Sequence, residues 1–309
     1  MTRFCDRASV PDRSASGPAA LALALTVALS ACAAGEAGPA TATAGEAAPS
    51  TGAESAAVAL APLPPRAFPD TIGVLLERRI ERKVPGVPVD DYLLWLPPGM
   101  GRGDGEWPLV LWLHGRSLRG TDLNRLKRYG PPAILARGGA LPFVLVAPQL
   151  PPGGRWADLD PVAALVEDVI DRYPVDPDRV YLLGFSMGGG GAYRMAFDHG
   201  DLFAAMVAIA GHTPPPTAEN VTAVGSLPFL AIHGELDRRV PLSWGQRMAK
   251  ALRKADAPDF EFRIEPGHDH SRLERLTRDE RIYGWMMGHS RTHPRSVRGA
   301  GISPEEPGR

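Results

Sequence analysis

Residues Val180 to Gly191 read Val-Tyr-Leu-Leu-Gly-Phe-Ser-Met-Gly-Gly-Gly-Gly. An apolar, β-prone run meets Gly184-Phe185-Ser186-Met187-Gly188 and passes straight into a helix-like segment. A serine on such a tight strand-to-helix turn is held in a strained backbone, with its hydroxyl pushed out of the sheet. A Cβ at either flanking position would collide with neighbouring backbone, which is why glycine stands there. Ser186 is therefore the candidate nucleophile. The plain alternative is a glycine-rich turn with a chance serine. The strand before it and the glycine-rich helix start after it weigh against that.

A serine hydroxyl is a poor nucleophile at neutral pH. It needs a base within hydrogen-bond reach, and the base needs an orienting carboxylate. The apolar run Pro228–Ile232 is followed by His233-Gly234-Glu235-Leu236-Asp237, and Val240-Pro241 then opens a helical pattern. The alternating run Phe260–Ile264 is followed by Glu265-Pro266-Gly267-His268-Asp269-His270. Asp237 is preferred as the carboxylate over Glu235, which sits nearer the strand end. His268 is preferred as the base over His270, because it directly follows a glycine, as a mobile post-strand loop would require. His-Asp-His also reads as a pair of metal ligands, but no third ligand of matching spacing accompanies it, so no metal is expected.

An oxyanion needs backbone N–H donors. Met187, directly after the nucleophile, supplies one. Arg116 supplies the other, from the loop that ends the buried run Leu109–Leu113 at His114-Gly115-Arg116. The predicted strands are 109–113, 143–147, 180–185, 203–210, 228–232 and 260–264. Just past their carboxyl ends lie Arg116, Gln149, Ser186, His212, Asp237 and His268, the edge at which open parallel sheets bind ligands. His114, Gln149, Trp156 and His212 are the pocket candidates. Trp156 stacks on a substrate group or simply packs, and His114 has a structural reading as well. Helical patterns such as 162–173 and 242–254 alternate with the strands, which argues for a parallel sheet with crossover helices.

Taken in order, these segments resemble the α/β-hydrolase superfamily. The resemblance is nearest to bacterial exported esterases of the phospholipase/carboxylesterase and polyhydroxybutyrate-depolymerase-like group. It is carried by Pro108–Gly115, Tyr129-Gly130-Pro131-Pro132, Val146–Gln149, Tyr173–Tyr181, the serine turn, Asp201–Ala205, His233-Gly234 with Asp237, and Gly267-His268-Asp269. It covers roughly residues 85 to 287 and rests on the number of ordered motifs. It implies ester hydrolysis through an acyl-enzyme on Ser186, Asp237 and His268. It also implies a mostly parallel twisted sheet with helices on both faces and antiparallel N-terminal strands. The chain departs from the family at Gly190-Gly191 and at His270-Ser271-Arg272, both near the acyl site, so substrate choice is where it differs. Only 15 residues, His212 to Ser226, separate two strands where many lipases carry a helical cap, so no large cap domain is expected.

Residues 18–29 are almost wholly apolar and follow Arg3, Arg7 and Arg13. The run is too short to span a bilayer and has a secretory layout. Leu29-Ser30-Ala31-Cys32 resembles the lipobox of bacterial lipoproteins, which implies lipid on Cys32 and a cell-envelope location. Residues 32–68 hold few large apolar side chains and read as a disordered tether, as does the tail 290–309. Residues 69–289 then form one domain of roughly 220 residues. The net charge of −1 gives no argument for nucleic acid. The two cysteines, Cys5 and Cys32, both lie outside that domain, which excludes a cysteine nucleophile there. No glycine-rich phosphate loop is present, so no cofactor is expected.

Overall fold

The serine turn sits at the middle of an eight-stranded sheet. The computed structural model describes residues 72–79, 91–102 and 105–291. The strands are β1 (Leu75–Arg79), β2 (Asp91–Trp95), β3 (Trp107–Leu113), β4 (Val144–Gln149), β5 (Val175–Phe185), β6 (Ala205–Ile209), β7 (Phe229–Gly234) and β8 (Phe260–Glu265). Their order is β1-β2-β4-β3-β5-β6-β7-β8. β2 runs antiparallel to both β1 and β4, and every other neighbouring pair is parallel. The expected antiparallel start and parallel body are both present.

Among the described residues, seven α-helices accompany the sheet: α1 (Gly130–Leu135), α2 (Asp160–Arg172), α3 (Met187–His199), α4 (Ala218–Gly225), α5 (Leu242–Lys254), α6 (His270–Leu273) and α7 (Glu280–Met287). Alternate strand residues feed two separate cores. Leu109, Leu111, Leu182, Met206 and Phe229 pack with Val166 of α2, Met195 of α3 and Met248 of α5. Their neighbours Val110, Trp112, Leu183, Val207 and Leu230 pack with Leu135 of α1, Leu273 of α6 and Met286 of α7. The sheet is thus covered on both faces, which is why its central strands read as unbroken apolar runs. Between β6 and β7 stands only α4, eight residues long, so the expectation of no large cap holds.

Side-chain contacts explain the glycine run after Ser186. A Cβ on Gly188 would lie 1.9 Å from the Leu113 carbonyl oxygen, and one on Gly189 would lie 2.7 Å from Gly211. The first turn of α3 therefore lies directly against the ends of β3 and β6. The propensity cost of glycine in a helix is of order 1 kcal/mol each, and close backbone packing offsets it. The leader, Cys32, the tether and most of the tail fall outside the described residues. Ser290 and Arg291 do not: Arg291 donates to Asp178 Oδ1 at 2.7 Å and to the Asp201 carbonyl at 2.7 Å.

Candidate active site

Ser186 is the residue between β5 and α3, with φ 56° and ψ −113°. A left-handed φ on a residue with a Cβ costs of order 1–3 kcal/mol and persists only where the surroundings enforce it. Here Ser186 N–H donates to Ile209 O at 2.8 Å, and Gly190 N–H donates to Ser186 O at 3.0 Å. The turn is pinned to β6 on one side and to its own helix on the other, and Oγ is left facing the carboxyl edge of the sheet.

The group that meets Oγ is His270. Its Nε2 lies 2.8 Å from Ser186 Oγ, and its Nδ1 lies 2.8 Å from Asp237 Oδ2. His268 does not take part, and the expectation that placed it as the base is corrected. His268 is half-buried on the loop after β8 and turns its Nδ1 back to the Pro266 carbonyl at 2.9 Å. Asp269 explains the difference. It caps α6, with Oδ1 accepting from Ser271 N–H and Arg272 N–H. His270 becomes the first residue of that helix and points inward on the same side as buried Leu273. The imidazole that meets Ser186 therefore stands on a capped helix instead of a loose loop. An N-cap aspartate with an apolar residue four positions later was the signal in the sequence. Position 270, read from the sequence as a departure, is thus the one whose imidazole meets Ser186. The His-Asp-His segment does not converge, and among the described residues no group of three or more His, Cys, Asp or Glu gathers as a metal site.

The carboxylate that meets His270 is Asp237, not Glu235, whose Oε2 accepts from Gly267 N–H in solvent. The Asp237 side chain is fully buried. Its Oδ1 accepts from Arg239 N–H and Val240 N–H, which leaves Oδ2 for His270. His233, unremarked as a support in the sequence, donates from Nε2 to the Val240 carbonyl at 2.9 Å and so braces the same loop. Burial holds the His233 imidazole below its usual pKa. The Phe185 ring lies 5.2 Å from that of His270 and closes the other flank.

Met187 opens α3 and Arg116 opens a single 3-10 turn, so neither N–H has a carbonyl one turn earlier within its own helix. Gly115 stands against the serine, since a Cβ there would lie 3.5 Å from Ser186 Cβ. Met187 thus directly follows Ser186 in the chain, and Arg116 directly follows the glycine that abuts it.

Three of the four pocket candidates are supports. His114 is fully buried; its Nδ1 donates to Gly115 O at 2.7 Å and its Nε2 accepts from Leu150 N–H at 3.1 Å. Gln149 Nε2 donates to the carbonyls of Leu118 and Asp122, which fixes the loop that carries Arg116. Trp156 is buried, donates Nε1–H to the His114 carbonyl at 3.0 Å and fills the space beside Gly191. Gln149 was expected to line the pocket because it follows a strand end, whereas a structural reading of His114 and a packing reading of Trp156 were also held and agree with these contacts. All three are turned inward because the loops they belong to need holding. His212 does stay at the site: it is exposed, its ring lies 5.4 Å from that of Trp244, and its Cβ is 3.3 Å from where a Gly190 Cβ would be.

Burial pushes the His114 pKa down from 6.5 to about 4. A histidine buried neutral must charge on unfolding, so below pH 6.5 the unfolded chain binds the extra proton. Stability is then fully present above pH 6.5 and is lost as pH falls toward 4, by on the order of 3 kcal/mol in all. Denaturant titrations at pH 7 and 4.5 should show this slope in the wild type. It should be smaller in His114→Gln; equal slopes would remove His114 as the cause.

A family model described as Phospholipase/Carboxylesterase matches residues 157–279, a span that contains Ser186, Asp237 and His270. NocK of Nocardia uniformis subsp. tsuyamanensis, named as an esterase, is 35% identical over 156 residues, 47% of this chain and 44% of NocK. The chain therefore spans under half the length of that curated relative. Among solved structures, a thermostable esterase matches with a TM-score of 0.60 and 25% identity, over 70% of this chain and 63% of the other. FphF, a fluorophosphonate-binding serine hydrolase of Staphylococcus aureus, matches with a TM-score of 0.52 at 16% identity, over 69% of this chain and 98% of its own, and at that identity it shares the fold alone. The fold is the α/β-hydrolase fold.

Proposed function

From an α/β-hydrolase fold whose sheet edge joins a serine, a histidine and a buried carboxylate, we propose that this protein hydrolyses carboxylic esters through an acyl-enzyme. The observation that carries the reading is the unbroken relay Ser186 Oγ, His270 Nε2, His270 Nδ1, Asp237 Oδ2, with both links at 2.8 Å. Asp237 accepts the Nδ1–H and thereby leaves Nε2 as the acceptor for the serine proton. Ser186 Oγ attacks the acyl carbon while His270 takes its proton. The carbonyl oxygen becomes the oxyanion between the Met187 and Arg116 amides. His270 then protonates the departing alcohol. Water deacylates the enzyme by the same steps, with His270 first as base and then as acid.

The short β6–β7 crossover supports an open site suited to small esters, or to ester groups displayed on a polymer. The test is a chain-length series of nitrophenyl esters beside the matching nitroanilides. Hydrolysis of short esters, with the anilides cleaved far more slowly, is expected. A folded protein that cleaves no ester in the series would refute the reading. On the layout of residues 1–32 we also propose a lipid-anchored envelope location. Lipidated precursor should accumulate under a lipoprotein signal-peptidase inhibitor, and unchanged processing would count against it.

A further inference from the structure

The geometry points to Arg116 and His212 as a specificity pair at the mouth of the site, selecting esters that carry a carboxylate near the scissile bond. This rests on the esterase reading above. Two glycines place the pair close to the nucleophile. Gly115, directly before Arg116, abuts Ser186, and Gly190, one helical turn after Ser186, abuts His212. The Arg116 guanidinium is near enough to His212 that its charge, second to burial, helps hold that imidazole below its usual pKa, and His270 and Asp237 act on the same ring. Arg116 follows the glycine that abuts Ser186, and His212 stands against the glycine one turn beyond it.

The backbone of Arg116 is fixed while its side chain is uncommitted. Arg119 donates Nε–H to Arg116 O at 3.2 Å and reaches on to Gly154 O with Nη1. Among the described residues the Arg116 guanidinium forms no ion pair. The acids on the neighbouring loops are bound to backbone N–H groups: Asp122 to Asn124, Glu235 to Gly267, Asp237 to Arg239 and Val240, and Asp269 to Ser271 and Arg272. A guanidinium on a rigid base, unclaimed and open to solvent, presents a planar fork of donors that matches a carboxylate. A neutral imidazole adds one N–H donor and, backed by the Trp244 ring, an apolar face for the chain that bears the carboxylate.

The test measures kcat/KM on two substrate pairs with the full-length protein. One pair is the 4-nitrophenyl monoester of adipic acid and its methyl-capped neutral form. The other is 4-carboxyphenyl acetate and its methyl ester. The charged member should be favoured by about tenfold in at least one pair, mainly through KM, since a charge-assisted contact at an exposed site sits at the low end of such interactions. The preference should vanish in Arg116→Gln, survive in part in Arg116→Lys and shrink in His212→Ala. It should also weaken in high salt. A preference that survives Arg116→Gln, or a wild type that turns over all four substrates without preference, would overturn the inference and leave the esterase reading standing. If none of the four is hydrolysed, the esterase reading fails and this inference goes with it.

Discussion

Ser186→Ala is expected to lower turnover of an activated ester by roughly 10⁶-fold and to abolish labelling by a fluorophosphonate, while the protein stays folded. The size of the loss follows from the site being one unit. Without Oγ there is no acyl-enzyme, and what remains is the oxyanion site and substrate binding. Folding should survive, because Oγ holds only the His270 ring, and the bonds that shape the turn run through backbone, Ser186 N–H to Ile209 O and Gly190 N–H to Ser186 O. Alanine keeps the same Cβ and so adds no clash. Unchanged far-ultraviolet circular dichroism and thermal midpoint would confirm that the loss is chemical. Labelling that persists in the variant would place the nucleophile elsewhere.

The second large effect separates two histidines two residues apart. His270→Ala should cost about as much as removing the serine, since base and nucleophile act together. His268→Ala should retain wild-type turnover, because that ring meets only the Pro266 carbonyl and contributes nothing to the relay. Single-turnover rates on one nitrophenyl ester decide the matter. If the His268 variant were dead and the His270 variant active, the relay would have to be redrawn around the other side chain. His270→Ala also deprives buried Asp237 of a partner, although the two amides on Oδ1 continue to hold that carboxylate in place.

Much of this was readable along the chain, and the failures share a cause. The serine turn was legible because Gly184, Ser186 and Gly188 obey local sterics. Asp237 was legible because the turn after β7 is short and opens a helix at a fixed distance. His268 won over His270 on a local argument about a glycine, when the deciding fact was that Asp269 caps a helix and Leu273 must be buried. Gln149 was assigned to the pocket by its place after a strand, and for His114 and Trp156 a pocket role and a structural one were both left open. Which way a side chain turns at a strand end depends on what the neighbouring loops leave unsatisfied, and that information is spread over segments far apart in sequence.

By itself, then, the sequence determined the alternation of strands and helices, the strained serine turn and the short crossover that leaves no room for a cap, because each follows from residues in contact with their own chain neighbours. Only the tertiary structure decided which imidazole meets Ser186, which polar groups serve as braces, and that Arg116 and His212 both stand beside glycines close to one nucleophile. Those outcomes depend on burial and on donors and acceptors brought together from β3, α3, β7 and α6, and no single stretch of the chain contains enough of them to settle the competition.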